Sequence, residues 1–262
     1  MRIFIYFILL FFILSSGGCV GLHQDSDTLF QVSTINALLN GDYHGSITFG
    51  DLRRNGTFGI GTFDGLDGEM IGLEGRFYQI KADGIAYPVP DFMTTPFAVV
   101  TPFEADQIVS VQEDGMDYEG LQRYLDGLIS DAGIFYAVKI EGLFKYIKTR
   151  SVPRQKEPYP PLSEAVKDQT IFEFHNIKGI IVGFRCPDFV KGGINVPGYH
   201  LHFITADRKA GGHLLACQIQ QGTIALDDTS KFYMVLPQQS SSSPQSIPAR
   251  DRTEELKHVE QE

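Results

Sequence analysis

Three of the chain's seven histidines fall in one stretch, GYHLHFITADRKAGGHLLAC, at His200, His202 and His213. In a strand, His200 and His202 point to one face while Leu201 and Phe203 point to the other. Ala206 to Gly212, with Asp207, Gly211 and Gly212, reads as a turn. A hairpin centred near Asp207 would bring His213 back opposite the pair, so that three imidazoles converge from two strands. Neutral imidazole suits zinc and other late divalent metals, at about 2.0–2.1 Å. Three protein ligands with one position left open is the pattern of a catalytic zinc. Histidines on a solvated hairpin face would account for an H-x-H pair, but less well for a third histidine across a glycine turn. A cupin-type metal oxygenase also uses an H-x-H strand. It calls for a carboxylate soon afterwards, and Phe203 to Ala206 offers none.

Other residues could complete such a site. In GTFDGLDGEM, Glu69 follows a glycine-containing turn and has apolar neighbours, so it would serve as a general acid or base if it faced a dry pocket. By position alone, a solvated strand glutamate is the simpler reading. Thr62 offers a hydroxyl but says little by itself. Arg150 ends a strand ahead of the proline-stiffened SVPRQKEPYPPL, where a fixed guanidinium could clamp a carboxylate in bidentate fashion. A surface cation beside Lys148 is the equal alternative.

The elements that must hold these residues are partly legible. A helix is expected within Asp25–Gly41, with Ser33 or Thr34 as N-cap, and a second short one at Asp51–Asn55. Phe58–Phe63 and Glu69–Leu73 alternate like strands, and Glu74-Gly75 reads as a turn into Arg76–Ile80. Phe97–Thr101 is a further strand. Leu121, Tyr124, Leu125 and Leu128 form one face of a helix over Asp117–Asp131. Phe135–Ile140, Glu141-Gly142 and Leu143–Val152 read as a second hairpin. Pro158, Pro160 and Pro161 suggest a domain boundary. Beyond it, Ile171–Leu236 reads as short strands in an antiparallel sheet or small barrel. Pro237–Pro248 is low-complexity linker, and Asp251–Glu262 a charged tail compatible with a short helix.

Composition narrows the classes. With 32 acidic against 22 basic residues the net charge is −10, which argues against nucleic acid as a partner. Three cysteines exclude a disulfide scaffold or a multi-thiolate zinc module. Residues 1–18, MRIFIYFILLFFILSSGG, have the charge, apolar run and small residues of a secretory signal peptide. Export to the periplasm or the extracellular space is therefore expected. Cys19 after Gly17-Gly18 is a candidate lipidation site and lipid anchor, although Ser16 stands where a lipobox has leucine. Cys186 and Cys217 read as small buried apolar side chains, with a disulfide as the alternative.

Taken together, GTFDGLDGEMIGLEGRFYQ (Gly61–Gln79), TRSVPRQKEPYPPL (Thr149–Leu162) and PGYHLHFITADRKAGGHLLAC (Pro197–Cys217) resemble the bacterial α-acetolactate decarboxylase family, in order and over nearly the whole chain from Phe30. The resemblance implies an α/β fold of α+β type. Its parts are a signal peptide at 1–18, a mixed-sheet domain at 19–160 that helps form a homodimer, a barrel-like metal domain at 161–236, and a linker and acidic tail at 237–262. It implies zinc on His200, His202 and His213, and catalytic roles for Glu69, Thr62 and Arg150. A tail glutamate of the family approaches the metal. Glu260 is the best match, with Glu254 and Glu255 also open. The activity implied is conversion of (S)-2-acetolactate to (R)-acetoin and CO2, in the acetoin and butanediol branch of pyruvate metabolism. A cupin-like oxygenase and a secreted binding protein without turnover are the competing classes.

Overall fold

In the computed structural model, residues 27–112, 115–237 and 252–261 are described; the signal peptide expected at 1–18, Cys19 and most of the expected linker lie outside them. In chain order the strands and helices are β1 (Thr28–Val32), α1 (Ile35–Leu39), β2 (Ile47–Thr48), α2 (Phe49–Arg53), β3 (Phe58–Thr62), β4 (Glu69–Leu73), β5 (Arg76–Ile80), β6 (Ala86–Pro88), β7 (Thr94–Thr95), β8 (Ala98–Thr101), β9 (Gln107–Val111), β10 (Met116–Asp117), α3 (Tyr118–Leu128), β11 (Phe135–Ser151), α4 (Leu162–Ala165), β12 (Thr170–Cys186), β13 (Gly198–Thr205), β14 (Gly211–Thr229), β15 (Lys231–Val235) and α5 (Thr253–Gln261). No helix among the described residues is long and apolar enough to cross a membrane.

The first sheet has the order β15-β1-β8-β3-β4-β5-β6. It is mixed, because β15 runs parallel to β1 while the other neighbours are antiparallel. Glu74 and Gly75 both take positive φ, at 53° and 75°, the conformation that a tight two-residue hairpin turn demands. The helix expected within Asp25–Gly41 is shorter than that span. Leu29, Phe30 and Val32 are buried and belong to β1, between β8 and β15, so burial on both faces draws them into a strand. The helix itself begins after Thr34, whose hydroxyl accepts from the Ala37 amide.

The second sheet closes on itself. β11 pairs with β12, β12 with β13, β13 with β14, and β14 again with β11. Two expectations fail here. β11 is one unbroken strand of 17 residues rather than a hairpin turning at Glu141-Gly142. Gly142 lies opposite Gly179 on one neighbour and Gly222 on the other, and a Cβ on it would sit 2.3 Å from the Gln221 carbonyl oxygen. The glycine there permits close approach of three backbones in a curved ring rather than a turn. Of the strands expected to be short beyond Ile171, β12 and β14 are likewise long, at 17 and 19 residues, while β13 and β15 are short, at 8 and 5.

Sheet membership also cuts across a boundary at residue 160. β11 precedes that point yet forms part of the ring, and β15, from the far end, completes the first sheet. A shared apolar core lies between the two sheets, where Ile60, Ile71 and Ile80 meet Val182, Phe184 and Ile204. A second core fills the ring beneath α3, around Leu121, Phe144, Phe203 and Leu226. The histidine face of β13 therefore looks toward β4.

Candidate metal centre and active site

The hairpin of β13 and β14 sets His202 directly opposite His213, with His200 two residues further along the same face. The three ring centroids are 5.1–5.2 Å apart. One nitrogen from each imidazole can be chosen so that all lie within 4.8 Å of one another. All three side chains are buried. His202 Nδ1 stands 2.9 Å from the Met70 carbonyl oxygen. A proton on Nδ1 donates to that carbonyl, which leaves Nε2 as a bare lone pair aimed into the site. That Nε2, His200 Nδ1 and Glu260 Oε2 are buried without a hydrogen-bond partner.

Burial, with the Arg150 cation adding to it, holds His200 down to about 3. Burial likewise pushes His202 and His213 well below the usual histidine range, assisted by neighbouring imidazoles and Arg150. The rings are therefore neutral at physiological pH, the state a metal ligand needs. Convergent, neutral imidazoles with orphaned buried nitrogens fit a divalent cation well.

Around this centre the structure brings together the other residues singled out from the sequence. Glu69 opens β4 and is buried, not solvated. Its Oε2 is 3.6 Å from His202 Nε2, and its Oε1 is 3.3 Å from Arg150 Nη1. Arg150 is buried too, held by pairing opposite His213 in the ring. Its Nη2 donates to the Val259 carbonyl of α5 at 2.9 Å. Thr62 faces Glu69 across the β3–β4 pair, but its hydroxyl donates to the Gly68 carbonyl at 2.7 Å, so only its oxygen is left to accept. Burial pushes Glu69 up to about 7, with Arg150 opposing and Glu260 adding to the rise. Glu260 is also pushed up to about 7 by burial, against the pull of Arg150.

The tail returns over the site. Glu260 Oε2 lies 3.5 Å from His200 Nε2 and 3.8 Å from His213 Nε2, while the Glu260 carbonyl is 3.0 Å from His213 Nε2. Glu254 is exposed, and Glu255 is engaged by Arg252. Leu256 and Val259 pack into the core between the sheets. Arg252 fixes the start of the helix: its Nη1 donates to Asn36 Oδ1 at 2.8 Å and Asn40 Oδ1 at 2.6 Å, and its Nε to Glu255 at 2.7 Å. Sequence reasoning missed Arg252, whose asparagine partners are over two hundred residues away. It also missed the Met70 and Val259 carbonyls, which carry no signature in side-chain type. Asn36 and Asn40, one helical turn apart on α1, were the available hint. Cys186 and Cys217 are free buried thiols, each pushed up to about 12 by burial.

Fold and site together define an α+β enzyme with a trihistidine centre, able to hold a metal, buried between a mixed sheet and a closed ring of strands. Residues 29–246 match the family model described as alpha-acetolactate decarboxylase. The chain is 55% identical over 212 residues to the alpha-acetolactate decarboxylase of Methanosarcina mazei, covering 81% of this chain and 73% of the relative. It is 40% identical over 214 residues to the Bacillus subtilis enzyme of the same name, covering 82% and 83%. The crystal structure of alpha-acetolactate decarboxylase from Bacillus subtilis strain 168 superposes with a TM-score of 0.86 at 36% identity, over 90% of this chain and all of that one. This chain belongs to the alpha-acetolactate decarboxylase family, whose members are carboxy-lyases.

Proposed function

We propose that this chain converts (S)-2-acetolactate to (R)-acetoin and CO2 with zinc held by His200, His202 and His213. The observation that carries the reading is the convergence of three buried neutral imidazoles beside two carboxylates and an arginine, in a chain of this family. The substrate has a carboxylate on a carbon that also bears a hydroxyl, with a ketone next to it. Losing CO2 drives an electron pair toward the ketone oxygen and yields an enediolate, which one proton delivered to the hydroxyl-bearing carbon on one face converts to acetoin. When bound, the metal supplies Lewis acidity that favours charge on the substrate's oxygens.

The chain's own residues do the rest. Arg150, rigidly placed by Val259 and Glu69, orients the substrate by a hydrogen bond to one of its oxygens. Glu69, poised near neutrality and within reach of the same space, moves the proton. Thr62 offers an acceptor oxygen on the opposite strand, and Glu260 brings a second carboxylate to the histidines from α5. The apolar packing of Leu256 and Val259 keeps bulk water from the centre.

Export belongs to the same proposal, on the signal-peptide layout of residues 1–18, with lipidation at Cys19 and a homodimer as its further parts. Purified residues 20–262 should release acetoin from racemic acetolactate, stop when a chelator is added, and recover with zinc. Acetoin release unaffected by complete metal removal would contradict the zinc part. No acetoin from a zinc-loaded, folded chain would contradict the whole.

A further inference from the structure

The chamber at the histidines has a volume of only about 40 Å³. At about 10–15 Å³ per water it has room for only a few waters while α5 lies in place. A second cavity, of about 370 Å³, shares His213 and Glu260 with it. It occupies a break in the wall of the ring. Along one edge of β14 the ladder with β13 ends at His213, and the ladder with β10 begins only at Gln218. Tyr118 at the head of α3, with Leu256, Lys257 and Glu260 of α5, covers the break. Glu260 is thus a wall common to both spaces.

The charges in the larger cavity are unevenly committed. Asp126 accepts from the Tyr199 hydroxyl at 2.7 Å, and Glu260 faces the histidines. Arg185 spends one N–H on the Ala132 carbonyl, at 2.6 Å, and its guanidinium carries others. Lys257 is exposed at the mouth. In a chain of net charge −10, two cations at the entrance to a buried site stand out as a local attraction for an anion.

We propose, resting on the function argued above, that this cavity is the entry and recognition chamber for 2-hydroxy-3-keto carboxylates. Lys257 and Arg185 receive the substrate carboxylate there, and displacement of Glu260 with the end of α5 passes the substrate to the histidines. No bond is made or broken in the chamber. Its residues govern capture, not the chemical step.

The test compares the parent chain with Lys257→Glu, Lys257→Arg and Gln122→Trp, measuring kcat and KM for acetolactate at low and high salt, with bound zinc and thermal midpoint as controls on folding. Lys257→Glu should lower kcat/KM by about tenfold at low salt, mainly through KM, and the loss should shrink at high salt. Lys257→Arg, which keeps the charge, should lose much less kcat/KM at low salt than Lys257→Glu, and an equal loss in the two would count against the charge role. Gln122→Trp, which fills the cavity, should lower kcat/KM at either salt concentration. Parent values of kcat/KM in Lys257→Glu at low salt, or in Gln122→Trp, overturn the proposal and leave the decarboxylase reading intact. A parent chain that forms no acetoin sinks the decarboxylase reading instead.

Discussion

Replacing Arg252 by alanine should release the tail without unfolding the rest. A helix of nine residues does not persist alone in water, so α5 depends on what it docks against. Leu256 and Val259 contribute about 1.5–3 kcal/mol each through burial. Arg252 adds charge-assisted hydrogen bonds to Asn36 and Asn40 on α1. Both asparagines regain water when the helix leaves, so the net loss in Arg252→Ala is about 2–3 kcal/mol. That is roughly a 30–150-fold drop in the docking equilibrium, at about 1.4 kcal/mol per tenfold. Cleavage by trypsin after Lys257 requires local opening of α5 and reports the undocked population when reclosing is fast. The cleavage rate should rise by up to that factor while the thermal midpoint of the core stays near the parent's. Acetoin formation should fall alongside, because Glu260 and the Val259 carbonyl leave the site with the helix. Unchanged cleavage and unchanged activity would refute the latch.

Three further outcomes are expected. Glu260→Ala should cut acetoin formation by roughly 10²-fold or more, the usual reach of a positioned acid or base, whereas Glu254→Ala, at an exposed position, should match the parent in a steady-state assay. Gly142→Ala should destabilise the ring by about 1–3 kcal/mol, read as a lower midpoint in urea, because its Cβ would lie 2.3 Å from the Gln221 carbonyl oxygen. Asp227, pushed up to about 8 by burial and then by Asp106, Asp27 and Asp228, keeps its proton in the folded chain where the unfolded chain releases it. Its contribution to stability is therefore intact below about pH 4 and lost as pH rises through about 8, so Asp227→Asn should flatten the fall in thermal midpoint between those limits.

How far the sequence reveals this arrangement depends on the range of the forces involved. The β13–β14 hairpin is legible because its turn residues and alternation are local, and its register follows from them. The same holds for the β4–β5 turn, where Glu74 and Gly75 adopt the left-handed conformation themselves. Glu141-Gly142 repeats the dipeptide, yet its glycine serves a close approach to Gly179 and Gly222, which no local pattern announces. Glu69 and Arg150 look like surface residues by position. Their burial comes from the packing of one sheet on the other, so the sequence offers them only as candidates beside a solvated alternative, and the resemblance of three motifs to a family is what favours the buried reading. The latch at Arg252 was illegible because both asparagines it holds belong to α1, at the opposite end of the chain.

Decarboxylation on a metal held by His200, His202 and His213 stands or falls on bound zinc and acetoin formation measured on one preparation of His202→Ala, with folding checked by circular dichroism. The protein should stay folded and lose both metal and turnover. A metal-free His202→Ala protein with full activity would contradict it.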